Sequence, residues 1–172
     1  MENKPNILKR AMNYGAIVGF ASIIYTVILY ITDMLFNRGL SMISILILII
    51  GIFYGTKVFR DKANEGFISY GQALTSGVLI AFFSAIITAF FSYLLYVAID
   101  PDLIEKSFQF MEEKFIEQGK LTEDQIEMFM EKARERSNPL KNSLMSIPIS
   151  TFIGFLVSLI TSAILKKEQQ PA

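Results

Sequence analysis

Four long apolar runs, each free of charge through its middle, constrain this 172-residue chain more than any other feature. They cover residues 11–32, 40–59, 72–99 and 143–165, with Asp33, Lys57, Asp100 and Lys166 at or beyond their edges. A helix needs about 20 residues, at about 1.5 Å rise each, to cross the hydrocarbon of a bilayer. Every run meets that length. Four buried helices of a water-soluble domain are the alternative, and that alternative fails on size. A chain this short has too little polar surface to cover four helices that are apolar all round. The runs predict an all-α integral membrane protein with four transmembrane helices.

Composition narrows function by subtraction. The chain is 52% hydrophobic, with a mean hydropathy of +0.44. Lys plus Arg and Asp plus Glu both number 16, so bulk charge offers nothing to nucleic acid. With no cysteine, histidine or tryptophan, the chain has no disulfides, thiolate or imidazole metal ligands, cysteine nucleophiles or histidine bases. No metal, cofactor or catalytic residue is expected. Lys4, Lys9 and Arg10 before the first run resemble a signal peptide, but the run is too long and lacks a small-x-small cleavage site. An uncleaved signal anchor is expected instead.

Orientation follows from where Lys and Arg collect. Lys4, Lys9, Arg10, Lys57, Arg60, Lys62, Lys166 and Lys167 flank the runs on one side. The other side has Arg38 in a short connection and a long segment, residues 100–142, holding seven basic and eleven acidic residues. Both termini are therefore expected in the cytoplasm, with the chain in the cell membrane.

The second connection, "NEGFISYGQALTSG", is polar and small between two greasy runs. Asn64-Glu65-Gly66 is turn chemistry, with Gly66 suited to a left-handed residue. Ser69 and Gln72 have the spacing of a capping box, which would satisfy backbone donors as the third helix enters hydrocarbon. Beyond them small residues recur every fourth position: Ala73, Gly77, Ala81, Ala85 and Ala89. Ser76, Ser84, Thr88 and Ser92 form a neighbouring stripe. The fourth run repeats the device with Ser146, Ser150, Gly154, Ser158 and Ser162, the first with Ala11, Gly15 and Gly19, and the second with Gly51 and Gly55. Such ladders let helix backbones approach closely in lipid. They serve either contact between spans of one chain or a homodimer interface.

Residues 100–142 read as a soluble acidic helical hairpin. Asp100-Pro101 is read as its first helix start, with aspartate as cap and proline at the first helical position. Ile104, Phe108, Met111 and Phe115 then share one face, and Gly119 ends the helix. Thr122 and Gln125 form a second capping box, followed by the stripe Ile126, Phe129, Met130 and Ala133. The Ser137-Asn138-Pro139 sequence stops that helix. Its carboxylates lack the oxygen-rich loop of a calcium site and read as a solvated face. The third span, about 28 residues and roughly 42 Å, is longer than the hydrocarbon of about 30 Å, so it tilts or projects beyond it.

The stretches "FRDKANEGFISYGQAL", "AIDPDLIEKS", "EQGKLTEDQIE", "SNP" and "LVSLITSAILKK", in that order, resemble the small four-span membrane proteins catalogued as domain of unknown function 4199. The resemblance runs from the first span to the lysine tail. It implies four spans with a helical insertion before the last, and an inner-membrane location where a cell has two membranes. It carries no chemistry and no site residues.

Three functional classes follow. A non-enzymatic scaffold or accessory subunit would act through helix packing and the hairpin, with membrane lipid, a membrane protein or a second copy as partner. A small transporter or lipid-linked-sugar flippase subunit would call for a charged residue deep inside the membrane, and the middles of the runs contain none. Their polarity comes from hydroxyl stripes and from tyrosines at interfacial positions, and Pro148 is the candidate kink. An enzyme would have to use Asp33 or Asp100. The sequence gives Asp33 no partner and assigns Asp100 to a cap.

Overall fold

The computed structural model describes residues 6–168, so Lys4 and the final four residues of the tail lie outside it. The fold is all-α, in the order α1 (Ile7–Ile31), α2 (Arg38–Ala63), α3 (Tyr70–Leu94), a π-helical turn (Leu95–Ile99), α4 (Leu103–Gln118), α5 (Glu123–Arg136) and α6 (Pro139–Leu165). Four segments are long and apolar enough to cross a membrane: Ile7–Ile31, Gly39–Ala63, Tyr70–Ile99 and Pro139–Leu165. By contact, residues up to 89 together with those from 146 onward form one compact unit, and residues 90–145 form another.

Each end of a membrane helix is set by a local hydrogen bond, and this moves several boundaries outward from the apolar runs. Asn6 accepts from the Lys9 amide at 3.1 Å and starts α1 a turn early. Asn37 accepts from Gly39 and Leu40 at the start of α2. Asn138 accepts from the Lys141 amide at 3.1 Å, so Asn138-Pro139 opens α6 as well as following α5. Proline at the first helical position costs nothing there, because its missing N–H would have no intrahelical partner. The third span also departs from a plain α-helix, since its last five residues wind as a π turn.

That π turn corrects the assignment of Asp100. α4 begins at Leu103 with Asp102 at the cap position, not at Asp100-Pro101. Asp100 instead ends the π turn, its amide donating to the Leu95 carbonyl at 2.9 Å. Its φ of −145° and ψ of 87° lie outside the helical region, which a following proline disfavours. The Asp100 carboxylate accepts from the Asp102 amide at 3.2 Å, bridging the turn between the helices.

The membrane unit has its polarity reversed relative to a protein in water. Ile17, Phe20, Ile24, Ile28 and Ile31 follow one another along the exposed face of α1, and Ile149, Phe152, Leu156, Ile160 and Ile164 do so on α6. Ile31 is 74% exposed, whereas Thr56, Ser158 and Ser162 are 0% exposed. Bulky apolar side chains outside and small or hydroxylated ones inside need lipid as their solvent. In water each such exposed side chain would forgo about 1.5–3 kcal/mol.

Residues 90–145 include the hairpin. Phe108, Ile126 and Met130 form its core, with Ile104, Phe115 and Ala133 packed against them. Phe115 and Phe129 meet edge to face with centroids 5.1 Å apart. Gly119 closes α4 at φ 60°, a left-handed conformation that glycine adopts without a Cβ penalty. Thr122 and Gln125 cap α5 reciprocally: the Gln125 amide donates to Thr122 Oγ1 at 3.4 Å and the Thr122 amide to Gln125 Oε1 at 3.0 Å. Thr122→Ala is expected to cost α5 about 1 kcal/mol. Hydrogen exchange on the full chain in detergent checks this, with the amides of residues 123–126 exchanging about fivefold faster and those of α1 unchanged.

Candidate functional site

The glycines foreseen as packing residues sit where helices touch, and each meets a partner within the same chain. A Cβ built on Gly15 would lie 2.6 Å from Phe83 Cβ and 2.9 Å from the Ile80 carbonyl oxygen, so α1 lies against the backbone of α3. One on Gly19 would stand 3.0 Å from Ile87. Gly51 abuts Val18, and a Cβ on Gly55 would lie 2.7 Å from Ile80 Cδ1 and 3.0 Å from Tyr14 Cγ. Gly77 abuts Ser158, and Gly154 abuts Ala81. Ala73, Ala81, Ala85 and Ala89 are all buried. The ladders are thus occupied by contacts within the chain.

Hydroxyls on these seams close their hydrogen bonds locally. Ser158 donates to the Gly154 carbonyl at 2.6 Å, and Thr151 to the Ile147 carbonyl at 2.7 Å beside Pro148. Back-bonding of this kind spends the hydroxyl proton without leaving the helix. Among the described residues, the buried hydroxyls Thr56 Oγ1 and Ser162 Oγ make no hydrogen bond. Farther along, a crevice of about 210 Å³ takes lining residues from all four membrane helices, Ser150 among them.

The connection between α2 and α3 brings its capping pair together and adds a clasp. The Gln72 amide donates to Ser69 Oγ at 3.2 Å, and the Ser69 amide donates to Gln72 Oε1 at 3.1 Å. Glu65 and Gly66 both adopt positive φ, 53° and 82°. Ile68 and Lys167 exchange two backbone hydrogen bonds of 2.8 and 2.9 Å, a one-residue antiparallel bridge. Arg60 donates to the Leu165 carbonyl at 3.3 Å, and the Lys167 ammonium lies 5.5 Å from the Phe67 ring centroid. Beneath this clasp Phe59, Ile68 and Ala73 are buried, with Ile7 and Ala63 against them. Sequence reasoning took Arg60 and Lys167 only as flanking charges. The pairing joins residues far apart in the chain and leaves no local pattern.

On the hairpin, an open groove of about 1010 Å³ runs along α4 and α5. Glu123, Glu127, Glu131 and Glu135 recur every fourth residue and share one face of α5, and Glu112 lines the groove from α4. Ile116 and Leu121 supply exposed apolar surface in it. Arg134 donates to Glu105 at 2.8 Å, and its guanidinium lies 5.6 Å from the Phe108 ring centroid. That hydrogen bond, with the nearby Glu105 and Glu112 charges, raises the Arg134 pKa above its ordinary value. Among the described residues, no three acidic side chains gather closely enough to hold a metal ion.

The seams give a sharp contrast between glycines. Gly154→Ala should lower stability by about 1–3 kcal/mol, because its methyl must displace Ala81. Gly71, which has nothing within 4 Å of its would-be Cβ, should accept alanine without loss. Thermal unfolding of the two variants in detergent, beside the parent chain, measures the difference.

No curated protein and no solved structure matches the chain. A family model described as "Protein of unknown function (DUF4199)" matches residues 13–167. That match begins within α1 and takes in the other three membrane helices, the clasp and the hairpin, so the chain is a member of this family.

Proposed function

We propose that the protein is a non-enzymatic scaffold or accessory subunit: its four-helix unit anchors it in lipid, and its hairpin binds a partner protein. The carrying observation is the hairpin groove, with exposed Ile116 and Leu121 between acidic side chains. A basic amphipathic helix complements it, placing apolar residues on those two and Lys or Arg beside the glutamates. The packing ladders are spent inside the chain, which supports association through the hairpin rather than through Gly77 or Gly154. Both termini lie in the cytoplasm under this reading, consistent with Lys9, Arg10, Arg60, Lys62, Lys166 and Lys167 at helix ends on one side. The hairpin then stands outside the cell membrane, or outside the inner membrane of a two-membrane cell.

The crevice inside the four-helix unit favours a second reading, a small transporter or lipid-linked-sugar flippase subunit. Flux across vesicles reconstituted with the purified chain separates the two, and association alone predicts none.

A photoreactive residue at position 116 in intact cells tests the first reading. The expected product is one discrete crosslinked protein, lost when Glu127→Lys and Glu131→Lys are combined. The same products from lipid-facing position 24, or products that survive the double reversal, would count against it. A periplasmic-type phosphatase fused after Arg136 should be active, and one fused at the C-terminus inactive.

A further inference from the structure

The crevice draws hydroxyls from every membrane helix: Ser22 and Thr26 from α1, Ser44 from α2, Ser84 and Thr88 from α3, and Ser150 from α6. Its chemistry is set by where the hydroxyl protons go. Thr26 Oγ1 donates to the Ser22 carbonyl at 2.9 Å. Thr88 Oγ1 donates to the carbonyls of Ser84 and Ala85 at 3.1 and 3.2 Å. A hydroxyl that has given its proton to the helix keeps its lone pairs and can only accept. Thr26 and Thr88 therefore favour a ligand that donates hydrogen bonds, and the lining has no charged residue to hold an ion.

Size and position point the same way. About 210 Å³ holds several water molecules, each taking about 30 Å³ in the liquid. Thr26 lies five residues before the end of α1, about 7.5 Å along the axis, whereas Ser84, Ala85 and Ser150 lie near the middle of their spans, so the crevice runs from the side of the α1–α2 connection to mid-span. Toward the termini the lining changes. Val18, Ile52, Ile80 and Ala81 form a buried apolar cluster there. Ser158 sits beside Ile52 against Gly77, and farther along Thr56, Ser76 and Ser162 are buried among apolar Val58, Phe59 and Ala73. Thr56 stands one turn beyond Ile52, and Ser162 one turn beyond Ser158.

We infer that this crevice is a hydrated vestibule for water and small neutral hydrogen-bonding solutes, closed toward the termini by the apolar layer of Val18, Ile52 and Ile80. The bundle thus carries an interrupted polar path: a wet crevice, an apolar barrier and buried hydroxyls beyond it. Narrow apolar constrictions of this kind exclude water without any charged gate. The inference rests on neither functional reading above, because hydration of the crevice requires neither a partner nor flux.

The native chain has no cysteine, so single cysteines report access directly. Thr88→Cys, Ser150→Cys, Ser158→Cys and Ile86→Cys are placed in open membrane sheets, where a charged methanethiosulfonate reagent reaches both faces. Positions 88 and 150 should react at least tenfold faster than position 86, although Ile86 is exposed on the lipid-facing surface. Position 158 should stay as slow as 86 and become reactive when Ile52→Ser is added. Rates at 88 and 150 no faster than at 86 would overturn the vestibule, and fast reaction at 158 without Ile52→Ser would overturn the barrier. Water-to-methyl magnetisation transfer in the unaltered chain gives a readout free of substitutions. Thr26 and Thr88 methyls should receive it and the Ile86 methyls should not, and equal transfer to all three would refute the vestibule.

Discussion

Close approach of helix backbones in lipid is the condition on which the rest of this structure depends. In hydrocarbon no hydrophobic drive pushes one apolar helix against another, so contact must come from packing and polar complementarity. Packing is strongest where side chains are smallest. Gly15 against the α3 backbone, Gly51 against Val18 and Gly154 against Ala81 are the places where that condition is met most tightly. Many bulky residues, such as Ile24, Ile31, Phe152 and Ile160, turn outward to the lipid. The reversed polarity of the unit and its internal contacts are therefore one fact seen from two sides.

The same condition governs the hydroxyls. A serine or threonine inside a membrane helix is small enough to sit in a seam and can lend its proton to a carbonyl one turn back. Ser158 and Thr151 do this and add no demand for an outside partner. Where many such oxygens converge, as around Ser84, Thr88 and Ser150, the arrangement becomes a lined space rather than a seam. Packing and ligand access are thus set by the same residue types. What separates them is whether a facing side chain fills the gap.

Where lipid gives way to water, structure is held by different means. Asn6, Asn37, Ser69 and Asn138 satisfy the first amides of the four membrane helices, a requirement that sharpens near hydrocarbon. The pairing of Ile68 with Lys167 ties the α2–α3 connection to the residues after α6. Outside the membrane the hairpin returns to ordinary rules, with an apolar core of Phe108, Ile126 and Met130 and charge on its surface. One chain thus folds under two solvents, and the acidic groove belongs to the part that water shapes.

Much of this was legible without coordinates because it is local. Four charge-free runs fix four membrane helices, since length and hydropathy alone decide whether a segment is stable in lipid. Ser69 with Gln72 and Thr122 with Gln125 are readable because a cap closes within four residues. Asp100 does accept from the Asp102 amide, but the start of α4 needed coordinates: a π turn ending at Ile99 precedes it, and α4 starts only at Leu103. The ladders announced close packing but not which helix each would meet, so a pairing within the chain and one between copies looked alike. Only the tertiary structure set Gly77 against Ser158, joined Ile68 to Lys167 and gathered hydroxyls from four helices around one space. The reason is physical: solvent preference and capping act along a few consecutive residues, whereas the matching of surfaces is settled only when distant segments meet.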